Sequence, residues 1–502
     1  MADFSLTILH TNDVHGRFEP ISARDGICSE RENIDGKCFG GVARLHTAIQ
    51  EARQSVPNSV LLDGGDQFQG SLLFRQYKGQ LAAEMMNTLG YDAMTLGNHE
   101  FGSGVEALRA FIDKARFPVL MANGDLSGEP ALAGQVPKSF VHLVGGEQVA
   151  FIGIVPENTA ELANPGPTIT FSDPYFAVGR EVTRLTARGI DKIILLSHAG
   201  YYRDLQLAEE IEGIDVIVGG HSHTFLHSDD ITAEGPYPTM VGQTAIVQAY
   251  AYGRFLGRLD VIFDDNGQVL SAEGEPILMN SWVPENPFIK ARIEKASAPL
   301  EALRDEVVGS AESRIDEGLL SCRVTECPIG NLVADAMLAS DASQGAEIAL
   351  MNSGGIKGVL DKGPITMGDV MITLPFQNTL ATFTLTGQEL REVLENGVSR
   401  VENSSGRFPQ VAGMRFAFKP FEPTGNRIAM IEIDGEPIDL QRQYKVVSNS
   451  FLRGGGDGYT MLRDAREAYE FGPDLADVLA DYLKRNLSYT PVTDERIEIL
   501  ID

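Results

Sequence analysis

The sequence is short of positive charge, and this shortage limits the partners it can have. Its 41 Lys and Arg residues are outnumbered by 70 Asp and Glu residues, which gives a formal net charge of −29. Proteins bind nucleic acids mainly through basic surfaces, so a nucleic-acid partner is excluded. An acidic exterior instead fits a soluble protein in a salty or extracytoplasmic setting.

Long apolar runs are also missing. No stretch of 18 consecutive apolar residues occurs, so we predict no membrane span. The chain starts at Met1-Ala2-Asp3 and enters an alternating strand at Phe4, without the basic and apolar segments of a signal peptide. We therefore expect any secretion signal to have been removed from this chain.

Cysteine is scarce, and its four residues form two local pairs. Cys28 lies ten residues before Cys38, and Cys322 lies five residues before Cys327. Neither pair has Cys-x-x-Cys spacing, so we predict two disulfides and an oxidising compartment. Four free thiols, or one zinc site built from both pairs, are the alternatives.

The length of the chain predicts two domains. At 502 residues it is too long for a single hydrophobic core. Pro284 to Pro287 marks the end of the first domain, and the charged, helix-favouring stretch from Phe288 to about Glu306 is typical of a helical connector. Strands alternate with helices on both sides of it, which indicates the α/β class. The predicted boundaries are 1–285 for the first domain, 286–306 for the connector and 307–502 for the second domain.

One pattern occurs five times in the first domain. An apolar run that predicts a strand is followed by small residues and then by a side chain that can bind a metal ion. In layered α/β domains, loops at the carboxyl ends of strands collect ligands and catalytic groups. The candidate metal ligands in these loops are Asp13, His15, Asp66, Asn98, His198, His221 and His223.

The chemistry of these side chains suits two transition-metal ions. Imidazoles with carboxylates favour zinc, manganese or iron over calcium; zinc is the expected metal, with manganese, cobalt and iron as alternatives. Seven ligands are too many for one ion but suit two ions with a shared ligand. Asp66 is the best bridge because it lies between the two ligand sets in the chain. Two ions about 3.5–4 Å apart form the arrangement used for phosphoester hydrolysis.

The same loops resemble a known family. They are similar to the signature of calcineurin-type metallophosphoesterases, and further blocks resemble the 5′-nucleotidase family, which includes animal ecto-5′-nucleotidases. The matching segments are Leu9-His10-Thr11-Asn12-Asp13-Val14-His15, Gly40-Gly41-Val42-Ala43-Arg44-Leu45, Leu62-Asp63-Gly64-Gly65-Asp66-Gln67, Tyr91-Asp92-Ala93-Met94, Gly97-Asn98-His99-Glu100 and Gly219-Gly220-His221-Ser222-His223.

This resemblance implies a fold and a division of the metal ligands. The expected fold is an N-terminal four-layer sandwich of two β-sheets flanked by helices, a helical connector that acts as a hinge, and a smaller α+β C-terminal domain that binds substrate. His99 is implied to stabilise the transition state or protonate the leaving group. One ion would take Asp13, His15, Asp66 and His223, and the other would take Asp66, Asn98, His198 and His221.

One position departs from the family pattern. The family commonly places an aspartate three residues after this histidine, where it orients the ring, but here the residue is Gly102. Glu100 and Glu106 are the candidate substitutes.

In the second domain the resemblance implies nucleoside-binding residues. Arg323 would bind the substrate phosphate, because a guanidinium group matches two phosphate oxygens. Asn352 and Lys357 would also bind substrate. Two phenylalanines would stack on the base, at roughly 1–3 kcal/mol per contact, and an aspartate would bind the ribose hydroxyls. These last three residues are Phe376, Phe451 and Asp457.

The function implied is hydrolysis of nucleoside 5′-monophosphates to nucleoside and phosphate by a secreted or periplasmic enzyme. A nucleoside-diphosphate or cyclic-nucleotide phosphoesterase is the alternative within enzymes, since the same metal pair serves either ester. A non-catalytic nucleotide-binding protein is the alternative of another class, motivated by Gly102.

Overall fold

The computed structural model divides into two compact units, Met1–Ala298 and Pro299–Asp502. The predicted connector, 286–306, contains the helix Pro287–Arg304, and the division between the units falls inside this helix. None of the helices among the described residues is long and apolar enough to cross a membrane. The structure describes residues 3–23, 25, 28, 30–163, 165–315, 321–356, 359–374, 376, 378–469 and 472–500.

The first unit alternates strands with helices along the chain. Its strands are β1 (Phe4–Thr11), β2 (Ser59–Asp63), β3 (Ala93–Thr95), β4 (Val119–Leu120), β5 (Gly124–Asp125), β6 (Ser139–Val144), β7 (Glu147–Ile154), β8 (Thr170–Phe171), β9 (Ile193–Ser197), β10 (Val216–Val218), β11 (Thr239–Val241), β12 (Thr244–Val247), β13 (Phe255–Phe263) and β14 (Val269–Leu278). Its helices are α1 (Glu30–Ile34), α2 (Val42–Gln54), α3 (Leu72–Tyr77), α4 (Gly79–Leu89), α5 (Val105–Lys114), α6 (Thr159–Ala163), α7 (Pro174–Thr186) and α8 (Tyr201–Glu210), and α9 is the helix Pro287–Arg304.

Two six-stranded sheets organise this unit. The first has the order β14-β13-β1-β2-β3-β4 and the second has the order β11-β12-β10-β9-β7-β6, while β5 and β8 form a small separate pair. Strands β1 to β4 run parallel in the first sheet, as do β7, β9, β10 and β12 in the second. Parallel strands covered on both faces consist of continuous apolar runs, as Val60-Leu61-Leu62 does in β2.

The two sheets share one hydrophobic core. Buried side chains of the first sheet, such as Ile8 and Leu62, belong to the same cluster as Ile152 and Leu195 of the second sheet. Apolar residues of α7 and α8, among them Val178, complete this cluster. The arrangement confirms the predicted α/β class, with two β-sheets and packed helices in the first domain.

The second unit is built on two further sheets. Its strands are β15 (Val307–Ala311), β16 (Ile348–Asn352), β17 (Gly363–Thr366), β18 (Leu380–Thr386), β19 (Pro409–Ala412), β20 (Met414–Phe418), β21 (Ile428–Ile433), β22 (Glu436–Pro437), β23 (Gln443–Asn449), β24 (Arg466–Tyr469) and β25 (Ile497–Ile499). Its helices are α10 (Pro328–Leu338), α11 (Met367–Thr373), α12 (Gly387–Val398), α13 (Ser450–Arg453) and α14 (Leu475–Asn486). The sheets have the orders β19-β16-β23-β18-β24 and β22-β21-β20-β25, with β15 and β17 as a separate pair. Leu350 and Phe383 of the larger sheet pack in one core with Phe416 and Ile431 of the smaller sheet.

Both predicted cysteine pairs are disulfides. The Cα atoms of Cys28 and Cys38 lie 5.9 Å apart, and those of Cys322 and Cys327 lie 5.0 Å apart. Cys327 also caps the N-terminus of α10, where its Sγ accepts a hydrogen bond from the Gly330 N–H and Pro328 occupies the first turn. Proline is favoured there because the first-turn N–H groups have no partner within the helix.

Candidate functional site

The candidate metal ligands lie at the carboxyl ends of five parallel strands. Asp13 and His15 follow β1, Asp66 follows β2 and Asn98 follows β3, all in the first sheet. In the second sheet His198 follows β9, and His221 and His223 follow β10. The two sheets therefore present these loops to each other at one edge of their shared core.

Six of these seven side chains form groups whose ligand atoms lie within 4.8 Å of one another. The first group contains Asp13, His15 and His223, and the second contains Asp66, His198 and His221. Asp13 Oδ1 lies 3.3 Å from His223 Nε2, and Asp66 Oδ2 lies 3.0 Å from His198 Nε2. His15 and Asp66 also form a third group with His99, so the first two groups are contiguous through them.

Several polar atoms of this cluster have no protein partner that satisfies them. The side-chain oxygen and nitrogen of Asn98 are buried without a hydrogen bond among the described residues. His198 Nε2 lies 3.0 Å from Asp66 Oδ2 but is likewise buried without a hydrogen bond among the described residues. An unsatisfied buried polar group costs about 1–3 kcal/mol. Imidazole nitrogens, carboxylates and an amide oxygen converging in this way fit two divalent metal ions.

The backbone of the ligands is unusual. Asp13, His15, Asp66, His221 and His223 all have positive φ, between 49° and 72°. Left-handed backbone costs an ordinary residue about 1–2 kcal/mol, and such conformations concentrate at functional sites. Asp and His adopt it more readily than most non-glycine residues, so the ligand chemistry and the backbone conformation select the same residue types.

Asn12 orients the first aspartate. Its Nδ2 donates to Asp13 Oδ2 and to the Tyr250 carbonyl, both at 2.6 Å, and its Oδ1 accepts from the Ala249 N–H at 2.9 Å. One buried amide thus ties the β1 loop to the segment that follows β12. The His221 N–H also donates to Asp13, at 3.0 Å.

Glu100 holds the loops after β2 and β3 together. Its buried carboxylate accepts from four backbone N–H groups at 2.6 to 3.1 Å. Three of these groups belong to the Asp66 loop, and the fourth belongs to Gly97, next to Asn98. The donors are the N–H groups of Asp66, Gln67, Phe68 and Gly97.

Charges in the cluster shift one another's protonation. Burial alone would raise the pKa of Asp66, but the cationic forms of His198 and His99 hold it well below its ordinary value. Burial likewise would lower the pKa of His198, yet Asp66 and Asp13 raise it to about 10. Burial, followed by repulsion from His99, lowers the pKa of His15 to about 3, so its ring is neutral at pH 7. A neutral imidazole is the form that binds metal.

Glu100 does not substitute for an aspartate at 102. Glu100 is fully engaged by backbone N–H groups, and Glu106 is exposed at the start of α5. The His99 ring instead contacts Gln69, whose Oε1 lies 2.7 Å from His99 Nδ1. No signal in the sequence pointed to Gln69, because the contact depends on the left-handed backbone at that residue (φ 63°).

Tyr252 is a second residue that the sequence did not reveal. Its ring centroid lies 5.4 Å from that of His223 and 5.8 Å from that of His15. Its N–H donates to the Asp13 carbonyl at 2.7 Å, and the guanidinium of Arg17 lies 4.0 Å from its ring centroid. Tyr252 therefore forms an aromatic wall beside the first group of ligands.

In the second unit the structure brings two of the predicted substrate residues together. Asn352 Nδ2 donates to Asp457 Oδ2 at 2.8 Å. Asn449, which the sequence did not single out, donates from its Nδ2 to Asn352 Oδ1 at 2.9 Å. This chain of buried amides fixes the position of the Asp457 carboxylate at the ends of β16 and β23.

Arg323 lies in the loop closed by the second disulfide. Its Nη1 donates to the Ser404 carbonyl at 3.3 Å. Gln410 fixes this loop: its Nε2 donates to the carbonyls of Cys322 and Thr325, at 2.9 and 2.8 Å, and its Oε1 accepts from the Cys327 N–H. The arginine is therefore presented by a cross-linked turn.

The structure describes two of the three remaining predicted substrate residues, Phe451 and Phe376. Phe451 is 44% exposed, and its ring lies over Gly456, where an added Cβ would come within 2.4 Å of the ring. Phe376 is half-buried. Lys357 lies outside the described residues.

Comparison with known proteins covers nearly the whole chain. Residues 6–225 match the calcineurin-like phosphoesterase family, and residues 307–464 match the C-terminal domain family of 5′-nucleotidases. Human 5′-nucleotidase is 36% identical over 527 residues, which span 99% of this chain and 91% of the relative. Snake venom 5′-nucleotidase from Naja atra is 35% identical over 525 residues, which span 98% of each protein.

Two solved structures are also similar to this chain over nearly its whole length. The crystal structure of a 5′-nucleotidase precursor from Thermus thermophilus is 40% identical, covers 99% of this chain and 100% of its own, and superposes with a TM-score of 0.68. The NAD nucleotidase of Haemophilus influenzae covers 100% of both chains with a TM-score of 0.74 at 24% identity, and so shares the fold.

Proposed function

The chain belongs to the 5′-nucleotidase family and is a metal-dependent phosphoesterase, and we propose that it uses two divalent metal ions to hydrolyse nucleoside 5′-monophosphates to nucleoside and phosphate. The observation that carries the proposal is the meeting of six metal-binding side chains, Asp13, His15, Asp66, His198, His221 and His223, at the carboxyl ends of parallel strands from the two six-stranded sheets. Family membership favours a catalyst over a non-catalytic nucleotide-binding protein.

The proposed ligand sets follow the two groups of side chains. Asp13, His15 and His223 would hold one ion, His198, His221 and Asn98 would hold the other, and Asp66 would be the shared ligand. Close contacts of Asp66 with His198 and His15, at 3.0 and 4.0 Å, support the bridge. When bound, two such ions neutralise phosphoryl oxygens and make water a nucleophile near neutral pH. Four imidazoles in the set favour zinc.

The protein's own residues orient the substrate around this centre. The His99 ring, with Nε2 3.9 Å from Asp66 Oδ2, is in position to stabilise the phosphoryl group or to protonate the leaving nucleoside oxygen. In the second unit, Arg323, Asn352 and Lys357 would bind substrate polar groups. The base would stack on Phe376 and Phe451, and the ribose hydroxyls would bind Asp457.

An extracytoplasmic location completes the proposal. Two disulfides, with no free cysteine among the described residues, are stable in oxidising compartments. The location is thus periplasmic or secreted, and the role is in nucleotide catabolism.

The test is a substrate panel on protein reconstituted separately with zinc, manganese, cobalt or iron(II). We expect two metal ions per chain by elemental analysis, and faster phosphate release from AMP than from ADP or 2′,3′-cyclic AMP. Faster hydrolysis of ADP or the cyclic nucleotide would replace the proposed substrate. At most one metal per chain would contradict the ligand assignment.

A pair of matched variants locates the metal centre. Asp66→Asn should lower the metal content and abolish most activity, because it removes the bridging charge. Asp229→Asn makes the same chemical change at an exposed loop residue and should leave both quantities unchanged.

A further inference from the structure

Gln69 occupies the place where a ring-orienting carboxylate is missing. We propose that Gln69 is a positioning residue for His99, which it holds with Nε2 directed toward the metal centre. The proposal rests on the proposed function, in which His99 acts on the substrate. Gln69 is proposed to act through the His99 ring.

The contact between Gln69 and His99 has the geometry of a hydrogen bond. Gln69 Oε1 lies 2.7 Å from His99 Nδ1. An amide oxygen can only accept, so Nδ1 carries a proton, and Nε2 lies on the opposite side of the ring. On that side Nε2 lies 3.9 Å from Asp66 Oδ2. The partner of one ring nitrogen thus decides what the other nitrogen offers to a substrate.

Two further contacts fix the plane of the ring. The His99 N–H donates to Asp66 Oδ1 at 2.9 Å, which anchors the backbone of His99 beside the metal centre. The His15 ring meets the His99 ring edge to face, with centroids 5.0 Å apart. The bond from Nδ1 to Gln69 restricts rotation about the last side-chain torsion of His99.

Gln69 reaches the ring because of its backbone. It has φ of 63°, directly before Gly70, which has φ of 89°. Gly70 also passes close to His15, where an added Cβ would lie 2.9 Å from the His15 Cβ. The turn after β2 is therefore wound so that the Gln69 side chain faces the loop after β3.

Gly102 offers a way to test the assignment. It has helical backbone angles (φ −67°, ψ −20°) and donates from its N–H to the His99 carbonyl. Side chains three residues apart in a helical turn lie on the same face. An aspartate at 102 can therefore approach the His99 ring without backbone strain and supply a new acceptor.

The experiment measures kcat and KM for AMP in metal-reconstituted variants. Gln69→Ala should lower kcat about 10–100-fold, the loss usual when an orienting outer-shell partner is removed, with KM changed less than about threefold. Gln69→Leu keeps the side-chain bulk without an acceptor and should behave like the alanine variant. Gln69→Glu keeps both length and acceptor and should retain most of the wild-type kcat. Gln76→Ala, at an exposed glutamine in α3, is the control and should be unchanged.

Recovery of kcat by a second substitution distinguishes loss of ring positioning from a general disturbance of the fold. Gly102→Asp should have little effect in the wild-type background, where Gln69 already holds the ring, and should recover kcat in the Gln69→Ala background. A readout independent of activity comes from spectra of the metal-free protein labelled with ¹⁵N in its histidines. The His99 signal, identified by its loss in His99→Ala, should report an Nδ1-protonated ring in wild type and lose that preference in Gln69→Leu.

The results distinguish an error in the role of His99 from an error in the role of Gln69. If His99→Ala has wild-type turnover, the role of His99 in the proposed function is wrong. If His99→Ala is severely impaired but Gln69→Ala and Gln69→Leu keep kcat within about twofold, the positioning role of Gln69 is overturned. The same conclusion follows if Gln69→Glu is as impaired as Gln69→Leu and Gly102→Asp fails to rescue, since an acceptor then makes no difference.

Discussion

Gly97 gives the sharpest test of how tightly the metal centre is packed. An added Cβ at this position would lie 2.1 Å from Asp66 Oδ1 and 2.6 Å from the Asp66 backbone nitrogen. Real Cβ contacts essentially never fall below 3.0 Å, so in Gly97→Ala the carboxylate of Asp66, the proposed bridging ligand, must move by about 0.9 Å. The Gly97 loop cannot easily retreat instead, because its N–H is bonded to Glu100 at 2.6 Å.

The expected size of the effect follows from that displacement. A misplacement of about 1 Å at a catalytic centre can cost about 100-fold in rate, and overpacking a buried site typically costs about 1–3 kcal/mol of stability. We therefore expect Gly97→Ala to lower kcat/KM for AMP about 100-fold, to weaken metal binding and to reduce the free energy of unfolding by about 1–3 kcal/mol. Gly97 has no positive φ, so steric contact alone is being tested.

The assay combines metal titration, denaturant unfolding and AMP hydrolysis on the wild type and two variants. Gly179→Ala is the control: nothing lies within 4 Å of its added Cβ, and the residue is inside α7. Alanine is favoured over glycine in a helix by up to about 1 kcal/mol, so this variant should be slightly more stable and fully active. A Gly97→Ala enzyme with two bound metals and kcat/KM within threefold of wild type would refute the packing argument.

Three further predictions concern stability, oxidation and substrate binding. Burial raises the pKa of Asp215 to about 7 from 3.8, so its contribution to stability is present at low pH and is lost as pH rises through 7. Asp215→Asn keeps an acceptor for the Ile193 N–H, and its unfolding free energy relative to wild type should therefore rise between pH 4 and pH 8; a pH-independent difference would contradict this. Mass spectrometry of the unreduced protein should find it four hydrogens lighter than the reduced chain, whereas four alkylatable thiols would contradict both the pairing and the oxidising compartment. Phe451→Ala should raise KM for AMP about 5- to 150-fold, the equivalent of about 1–3 kcal/mol of lost stacking, and should leave hydrolysis of 4-nitrophenyl phosphate unchanged; an equal loss on both substrates would argue against stacking.

Much of the fold could be predicted because hydrophobic periodicity and turn residues are local signals. The apolar spacing of residues 41–55 predicts a helix, and α2 spans Val42–Gln54; the apolar run at 60–62 predicts a strand, and it lies in β2. The sequence also predicts helices near 329–340 and 474–485, which are α10 and α14 in the structure. Their ends shifted by one or two residues where capping decides the boundary: Asp474 caps α14 from outside the helix.

Only part of the candidate site could be predicted from the sequence. Residue types that bind metal, repeated after apolar runs, indicate which side chains converge, because carboxyl ends of parallel strands meet at one edge. The contacts that orient those side chains are not local: Asn12 bonds to a segment about 240 residues away, and Gln69 bonds across 30 residues. Glu100 failed as a ring partner for the same reason, because backbone N–H groups from another loop take up its carboxylate.

The ligand loops are held mainly by one another, and this explains how the fold sustains so many left-handed residues. Five at about 1–2 kcal/mol each approach the whole stability of a typical domain, about 5–15 kcal/mol, so the conformation needs compensating bonds nearby. The parallel pairing of β1 with β2 continues beyond both strands: the N–H groups of Asp13, His15 and Gly16 donate to the carbonyls of Gly65, Asp66 and Gln67, at 2.9 to 3.0 Å. Because these bonds join the loops that carry Asp13, His15 and Asp66, formation of the first sheet also fixes the backbone of these three candidate ligands. Backbone pairing therefore preorganises this part of the candidate metal centre.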